Sequence, residues 1–178
     1  MNNYKEDLAG ITTMIFDYDG VMTNGVVIIS TSGDHLRAGN VKDGYALQLA
    51  VKSGYRVVII SGGFSESMRH RCNALNLKDV FLGVPDKAAV FKEYMTLNNL
   101  QKEEILYMGD DIPDYNVMKM VGMPLCPADA AQEIKDISRY ISHFKGGEGC
   151  VRDVIEQVMK LQGKWLSLEM HFIGKDWK

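Results

Sequence analysis

Two aspartates, Asp17 and Asp19, lie two residues apart at the end of an apolar run that begins at Ile11. If this run is a buried strand, Asp17 lies at its carboxyl end, where Gly20 permits the turn that must follow. Carboxylates this close repel each other unless a cation or a proton lies between them. The pair also fits an ordinary turn in which an aspartate accepts hydrogen bonds from nearby backbone N–H groups. Two interpretations therefore stay open at this stretch: a cation site and a capped turn.

Two further apolar runs also end in polar clusters. The run 56–60 is followed by Ser61, Gly62 and Gly63, and the run 105–108 is followed by Gly109, Asp110 and Asp111. Ligand sites in open parallel sheets lie at the carboxyl ends of the strands. The three clusters therefore predict one shared site at one edge of a sheet.

The residue types of these clusters indicate phosphoryl transfer. Aspartates without histidine or cysteine partners provide the hard oxygen ligands that suit Mg²⁺. The small residues around Ser61 let backbone N–H groups approach an anion, and Lys87 could neutralise a transferring phosphoryl group. An aspartate nucleophile would then form an aspartyl-phosphate. The sequence thus predicts a Mg²⁺-dependent enzyme.

Strands alternate with helices along most of the chain, which predicts a three-layer α/β domain with a mostly parallel sheet. After a short helical or irregular lead-in at 2–9, strands are predicted at 11–16, 56–60, 80–82 and 105–108. A β-hairpin is predicted within 26–41, and short edge strands at 123–126 and 140–142. Helices are predicted at 42–53, 65–75, 86–98, 113–120 and 149–161.

Composition narrows the class of protein. The 178 residues are 46% hydrophobic, which predicts a single domain over 1–178. A net charge of -3 without a block of like charge argues against a nucleic-acid partner and against electrostatic anchoring to a membrane. We expect neither a transmembrane helix nor a signal peptide. The three separated cysteines are expected to be reduced thiols in a cytoplasmic protein.

The clusters resemble, in order, the four motifs of the haloacid dehalogenase (HAD) phosphohydrolase superfamily. The matching residues are Asp17-x-Asp19-Gly20, Ser61, Lys87 and Gly109-Asp110-Asp111-x-x-Asp114. The resemblance implies that Asp17 is the nucleophile, that Asp19 is the general acid and base, and that Ser61 and Lys87 hold the phosphoryl oxygens. It also implies a Rossmann-like core and a Mg²⁺ site formed by Asp110, the Asp17 carboxylate and the Asp19 carbonyl.

Asp111 and Asp114 each have two interpretations. By the resemblance they orient metal-bound water and Lys87 from outside the metal site. Asp111 could instead cap the following helix, and Asp114 could be an acidic residue favoured by the helix dipole.

No cap domain is expected over this site. The segment between Asp19 and Ser61 has room for the hairpin and one helix, and that between Lys87 and Asp110 for a helix and a strand. Such a site would be open to water. The hairpin at 26–41 is strongly apolar, and exposed apolar β arms favour pairing with other copies. We therefore expect an oligomer in which neighbouring subunits cover each site.

Nearly the whole chain resembles one capless HAD family, the 3-deoxy-D-manno-octulosonate (KDO) 8-phosphate phosphatases. The segments that carry this resemblance are Val41-Lys42-Asp43-Gly44-Tyr45, Ser61-Gly62-Gly63, Arg71-Cys72, Tyr107 to Asp111 and Gly146 to Arg152. The resemblance implies a homotetramer, a role in making KDO for lipopolysaccharide, and a substrate pocket formed partly by a glycine-rich turn and a C-terminal tail at 163–178. A terminus that is disordered or packed on the surface is the other interpretation of that tail.

The chain departs from the family pattern in two places. Gly63 and Phe64 stand where many members have an arginine that could bind a sugar-acid carboxylate, and Glu148 stands where arginine or lysine is frequent. The acidic residue near the second motif of a relative that acts on KDN 9-phosphate is absent too. The predicted substrate-binding residues are Lys42, Gly62, Gly63, Arg71, Gly146, Gly147, Glu148 and Arg152.

Two functions follow in order of preference, and the sequence argues against two others. The first is a KDO 8-phosphate phosphatase, and the second is a phosphatase for KDN 9-phosphate or N-acylneuraminate 9-phosphate. A phosphomutase would need a cap to retain its bisphosphate intermediate. A non-catalytic HAD-like scaffold would be expected to lose Asp17 or Asp19, and both are present.

Overall fold

Six parallel strands form one sheet in the computed structural model, which describes residues 4–166. They are β1 (Thr13–Phe16), β4 (Arg56–Ile60), β5 (Asp79–Phe81), β6 (Ile105–Met108), β7 (Met123–Cys126) and β8 (Tyr140–Ile141). Their spatial order is β5-β4-β1-β6-β7-β8. The strands that end in the three polar clusters, β4, β1 and β6, are therefore direct neighbours at the centre of the sheet.

Seven α-helices accompany the sheet in the described part of the chain. They are α1 (Tyr4–Ala9), α2 (Val41–Lys52), α3 (Glu66–Ala74), α4 (Lys87–Leu97), α5 (Tyr115–Met118), α6 (Gln132–Ile137) and α7 (Cys150–Leu161). Side chains from α1, α2, α3 and α7 pack on one face of the sheet, and those from α4, α5 and α6 on the other. None of these helices is both long and apolar enough to cross a bilayer.

The alternation of β1 explains the two helical layers. Met14 and Phe16 contribute to the core on one face and Ile15 to the core on the other, because successive side chains of a strand point to opposite faces. All three are fully buried. The continuous apolar run is thus that of a strand covered on both faces, and the predicted three-layer fold is confirmed.

One strand position differs from the prediction. The segment 123–126 was predicted as an edge strand, but β7 pairs with β6 on one side and β8 on the other, and all four of its residues are buried. Short strands read alike in a sequence at an edge or in the interior. Only the pairing of residues 140–141 beyond β7 places the edge one strand further out.

Smaller differences concern the hairpin and two helices. The hairpin pairs only β2 (Ile28–Ile29) with β3 (His35–Leu36), a shorter ladder than the apolar run over 26–41 suggests. The helix predicted at 113–120 begins as a 3₁₀ turn, Ile112–Asp114, and continues as α5. Helix α6 was not predicted, because Ile134 is the one fully buried residue it contributes and its apolar period is weak. No segment large enough for a cap interrupts the described core.

Candidate active site

The turn after β1 fixes Asp17 and Asp19 at the carboxyl edge of the sheet. The Asp17 backbone N–H donates to the Met108 carbonyl oxygen at 3.0 Å, which extends the β1–β6 pairing by one residue. The chain then turns over Tyr18–Met22, where Asp19 and Gly20 have non-helical backbone angles. Gly20 has a φ of 88°, and a Cβ there would overlap the Asp110 carboxylate. Glycine is therefore required both for this turn and for the approach of Asp110 to it.

Lys87 is placed beside Asp17 by the start of α4. The Asp86 side chain caps this helix by accepting from the Ala89 N–H at 3.0 Å. The Lys87 Nζ lies 2.8 Å from Asp17 Oδ1 and 2.7 Å from Asp114 Oδ1, and the residue is only 6% exposed. Lys87, which is predicted to hold the phosphoryl oxygens, thus forms a buried ion pair with Asp17 and Asp114.

Asp114 is bound more fully than its sequence suggests. Besides Lys87, it accepts from the Tyr107 hydroxyl at 2.6 Å and from the Asp110 N–H at 3.1 Å. These contacts favour the interpretation that Asp114 orients Lys87 over the interpretation that it is an acidic residue favoured by the helix dipole. Asp111 instead accepts from the Ile112 N–H at 2.8 Å as an N-cap, and it also lines the cleft described below.

The Asp17 and Asp110 carboxylates resist ionisation. Burial, and then the charge of Asp114, raises the pKa of Asp17 to about 7 in spite of Lys87. Burial, followed by the charges of Asp17 and Asp114, raises the pKa of Asp110 to about 8. Burial lowers the pKa of Lys87, but the two carboxylates outweigh it and raise that pKa overall. The cluster has an excess of negative charge that a divalent cation would relieve.

These residues fit a hard metal ion. Oxygen atoms of Asp17, Asp110 and Asp114 lie within 4.8 Å of one another. Both Asp114 oxygens already accept hydrogen bonds, which leaves Asp17 and Asp110 as the carboxylates with capacity to bind the ion. Carboxylate oxygens without histidine or cysteine suit Mg²⁺. This pair matches the predicted set, which also includes the Asp19 carbonyl.

The second motif forms the opposite wall. Ser61 is buried at the end of β4, and its Oγ accepts from the Gly63 N–H at 3.1 Å. Together with the acidic cluster, it borders a cleft of about 310 Å³. The cleft is lined by Asp17, Asp19, Gly20, Gly25, Ser61, Gly62, Gly63, Lys87, Asp110, Asp111, Pro113 and Asp114. All four predicted motifs therefore meet at one cleft.

Arg37 is a site residue that the sequence reasoning missed. Its Nε lies 2.6 Å from Asp19 Oδ1 and its Nη2 lies 2.9 Å from Asp19 Oδ2. The guanidinium therefore donates a hydrogen bond to each carboxylate oxygen. Arg37 directly follows β3, the second arm of the hairpin. The one feature of the sequence that could have indicated Arg37 is a basic residue at the end of the hairpin that follows the Asp-x-Asp turn.

The other predicted substrate-binding residues lie elsewhere in the described part of the chain. Lys42, Gly147 and Glu148 line a separate cleft of about 470 Å³ that shares no lining residue with the catalytic cleft. Arg71 donates to the Asn40 carbonyl oxygen at 3.2 Å, and Arg152 pairs with a glutamate of its own helix, α7. Their part in substrate binding stays a prediction.

The glycine-rich turn does reach the catalytic turn through backbone contacts. The Gly147 N–H donates to the Val21 carbonyl oxygen at 2.9 Å, and a Cβ at Gly146 would overlap the Gly20 carbonyl. The turn therefore supports the loop that carries Asp19 rather than lining the catalytic cleft. Of the tail predicted at 163–178, residues 167–178 lie outside the described part of the chain.

We expect the metal-free protein to lose stability as pH rises from about 5 to about 8. Asp17 and Asp110 keep their protons in the folded state up to pKa values of about 7 and about 8, against 3.8 for ordinary aspartate. The folded state then binds more protons than the unfolded chain, so raising the pH favours unfolding. Mg²⁺ should therefore stabilise the protein more at pH 8 than at pH 5.5. Thermal unfolding with EDTA or Mg²⁺ measures this difference, and an equal shift at both pH values would contradict it.

Comparisons with known proteins agree over most of the chain. It is 34% identical over 156 residues to the 3-deoxy-D-manno-octulosonate 8-phosphate phosphatase KdsC of Yersinia pestis, covering 88% of this chain and 83% of that protein. It is 32% identical over 154 residues to KdsC of Escherichia coli strain K12, covering 86% and 82%. No protein-family model matches the chain.

Solved structures show the same architecture. A 3-deoxy-D-manno-octulosonate 8-phosphate phosphatase from Moraxella catarrhalis, in complex with magnesium ion, phosphate ion and KDO, superposes with a TM-score of 0.91 at 27% identity. The match covers 97% of this chain and 99% of that chain. A putative HAD-superfamily (subfamily III A) hydrolase from Legionella pneumophila also has a TM-score of 0.91, at 26% identity and with coverages of 96% and 94%.

Proposed function

Since this chain belongs to the family of KDO 8-phosphate phosphatases in the HAD superfamily, we propose that it hydrolyses KDO 8-phosphate to KDO and phosphate. The observation that carries the proposal is the buried arrangement of Asp17, Lys87 and Asp110 at one cleft. A nucleophilic carboxylate, a fixed cation and a metal-binding carboxylate are the groups that phosphoryl transfer needs. The 34% identity to a KdsC protein supports the substrate.

Asp17 attacks the phosphorus in the first step. A bond forms between an Asp17 carboxylate oxygen and phosphorus, and the bond from phosphorus to the sugar oxygen breaks. Asp19 donates its proton to that departing oxygen. Water then attacks the aspartyl-phosphate while Asp19 takes its proton, and Asp17 and phosphate are released.

The remaining residues neutralise the charge of the phosphoryl group and keep the reacting groups in position. Lys87 neutralises the charge of the phosphoryl oxygens. Asp114, which also accepts from the Tyr107 hydroxyl, keeps the Lys87 ammonium in place. Ser61 and the glycines after it provide hydrogen-bond donors to the same oxygens. When bound by Asp17, Asp110 and the Asp19 carbonyl, Mg²⁺ supplies positive charge that stabilises the phosphoryl group.

A kinetic panel tests the proposed substrate. Initial rates with KDO 8-phosphate, KDN 9-phosphate, N-acetylneuraminate 9-phosphate and mannose 6-phosphate would be measured with Mg²⁺ and again with EDTA. We expect the highest kcat/KM for KDO 8-phosphate, by about tenfold or more, and loss of all activity in EDTA. A higher kcat/KM for either nine-carbon substrate would move the assignment to that substrate.

The chain is further proposed to act as one unit over 1–178 and as a cytoplasmic homotetramer. Cys72, Cys126 and Cys150 are buried free thiols, which supports a reducing compartment. The catalytic cleft has no cap in the described chain, and the hairpin exposes large apolar side chains. Val26, Ile28, Ile29 and Leu36 are all more than two-fifths exposed. Apolar β arms of this kind support pairing with a second copy.

Ile29→Asp is expected to dissociate the oligomer. Ile29 is 69% exposed on the hairpin, and a charge buried between subunits would lack a partner. Mass photometry at nanomolar concentration should find smaller species than in the wild type, together with lower activity. Leu97→Asp is the matched control, because Leu97 is 75% exposed on α4 and should leave the assembly intact. A wild type that is an active monomer would contradict the oligomer.

A further inference from the structure

Arg37 connects the hairpin to the catalytic turn and to the start of α3. Besides Asp19, its Nη1 donates to the His35 carbonyl oxygen and to the Ser65 Oγ, both at 3.2 Å. Ser65 is the N-cap of α3, in the loop that follows the second motif. The Arg37 side chain is only 5% exposed, although the hairpin that carries it is largely exposed. Contacts from three directions hold the guanidinium at a defined place.

Gly63 is the residue that makes room for this guanidinium. A Cβ at Gly63 would lie 2.7 Å from Asp19 Oδ2 and 3.3 Å from Arg37 Nη2. The φ of Gly63 is not positive, so packing rather than backbone conformation requires glycine here. A side chain at position 63 would displace the Asp19 carboxylate or the Arg37 guanidinium from the positions they have here. The hairpin thus places Arg37 beside Gly63, a residue that has no side chain.

While Asp19 is paired with Arg37, neither of its carboxylate oxygens is free to face a leaving group. Both carboxylate oxygens accept from Arg37, and Oδ1 also lies 3.4 Å from the Thr23 Oγ1. A proton donor needs at least one oxygen that carries the proton and faces the leaving group. The bidentate contact must therefore open once in each turnover, and a second anion could take the place of Asp19.

We propose that Arg37 determines specificity by exchanging Asp19 for the carboxylate of the bound sugar acid. The proposal rests on the proposed function, because it requires a substrate with both a phosphate and a carboxylate. In the free enzyme the guanidinium pairs with Asp19. In the complex it pairs with the substrate carboxylate, one guanidinium–carboxylate contact replacing another.

The donor count of Arg37 suits this exchange. A guanidinium has five N–H donors, and four are used by Asp19, His35 and Ser65. The fifth, on Nη2, has no acceptor among residues 4–166. Nη2 would lie 3.3 Å from a Cβ at Gly63, and Gly63 and Asp19 both line the catalytic cleft. A carboxylate entering there meets a donor before the existing pair has opened.

Arg37→Gln tests the exchange with two substrates. The kcat/KM of wild type and variant would be measured for KDO 8-phosphate and for p-nitrophenyl phosphate, which has no carboxylate. We expect the variant to lose about 10- to 100-fold with KDO 8-phosphate, the effect of a lost charge-assisted contact. With p-nitrophenyl phosphate its activity should rise, because Asp19 is no longer bound. Equal losses with both substrates would overturn the exchange and leave Arg37 a residue that only positions Asp19.

Binding of the dephosphorylated product gives a readout independent of turnover. Calorimetry with KDO should show affinity about tenfold weaker in Arg37→Gln, and an intermediate value in Arg37→Lys, which keeps the charge without the bidentate fork. Unchanged KDO affinity in Arg37→Gln would also overturn the proposal. Arg69→Gln is the matched control, since Arg69 lies on the neighbouring helix α3, with its guanidinium over the Phe64 ring at 5.8 Å. Melting temperatures of all three variants confirm that they fold.

The same measurements separate the two proposals. If wild type does not prefer KDO 8-phosphate to p-nitrophenyl phosphate, the proposed substrate fails whatever Arg37 does. If wild type has the preference and Arg37→Gln keeps it, the exchange fails alone.

Discussion

Asp17→Asn is expected to reduce phosphatase turnover by about three orders of magnitude or more. Asparagine fills the same space but cannot attack phosphorus as a carboxylate, and the covalent route needs that attack. The Lys87 ammonium keeps Asp114 as a partner in this variant. The measurement is kcat for KDO 8-phosphate at saturating Mg²⁺, with p-nitrophenyl phosphate as a second substrate.

Stability separates a chemical effect of Asp17→Asn from a folding defect. Burial and the neighbouring Asp114 disfavour the Asp17 charge, which raises its pKa to about 7. Removing that charge at pH 8 should therefore leave the melting temperature of the metal-free protein equal to or above that of wild type. Asp136→Asn, an exposed change on α6, is the matched control and should retain full activity. Activity close to wild type in Asp17→Asn would refute the nucleophile and support a scaffold or another active carboxylate.

Lys87→Met has the second large effect, since it acts on both activity and stability. The ammonium lies within 2.8 Å of Asp17 and Asp114, so its loss leaves two buried carboxylates without their cation. Removing one partner from a buried ion pair costs about 3 kcal/mol or more. The phosphoryl group also loses a positive charge, for which we expect a fall in kcat of about 100-fold or more.

Urea unfolding at two pH values tests the origin of that loss. The destabilisation by Lys87→Met should be larger at pH 8 than at pH 6, because at pH 6 the unpaired carboxylates can take up protons. Lys92→Met is the matched control on the same helix, since Lys92 is exposed and should change neither stability nor rate. If Lys87→Met were as stable as wild type at pH 8, the buried triad of Lys87, Asp17 and Asp114 would not be an important contributor to the fold.

Much of the fold can be read from local patterns. The runs that became β1, β4 and β6 are continuous and apolar because each strand is covered on both faces. The change from apolar residues to the polar clusters that follow is abrupt, so the sequence alone shows where each strand ends. The β7 position and helix α6 were not visible in this way. An edge depends on which strand pairs beyond it, and α6 has too little buried apolar surface to give a period.

The sequence alone also predicted the chemistry of the candidate catalytic site. Asp17, Asp19, Ser61, Lys87 and Asp110 follow strands or begin a helix, and the order of a parallel α/β fold brings such ends to one edge. Residue type then selects the reaction, because carboxylates, a lysine and small residues suit Mg²⁺ and phosphate. None of this requires knowledge of which side chains touch.

Only the tertiary structure decided which partner each charge takes. Asp114 binds Lys87, Tyr107 and the Asp110 backbone, whereas the sequence left the role of a first-turn acid favoured by the helix dipole equally open. Arg37 reaches Asp19 from 18 residues away because the hairpin folds back over the turn, a path that a one-dimensional pattern does not specify. The same packing moves Lys42 and Glu148 into a cleft apart from the catalytic one. Strands and motifs depend on neighbours in sequence, but side-chain pairing depends on distances set by the whole fold.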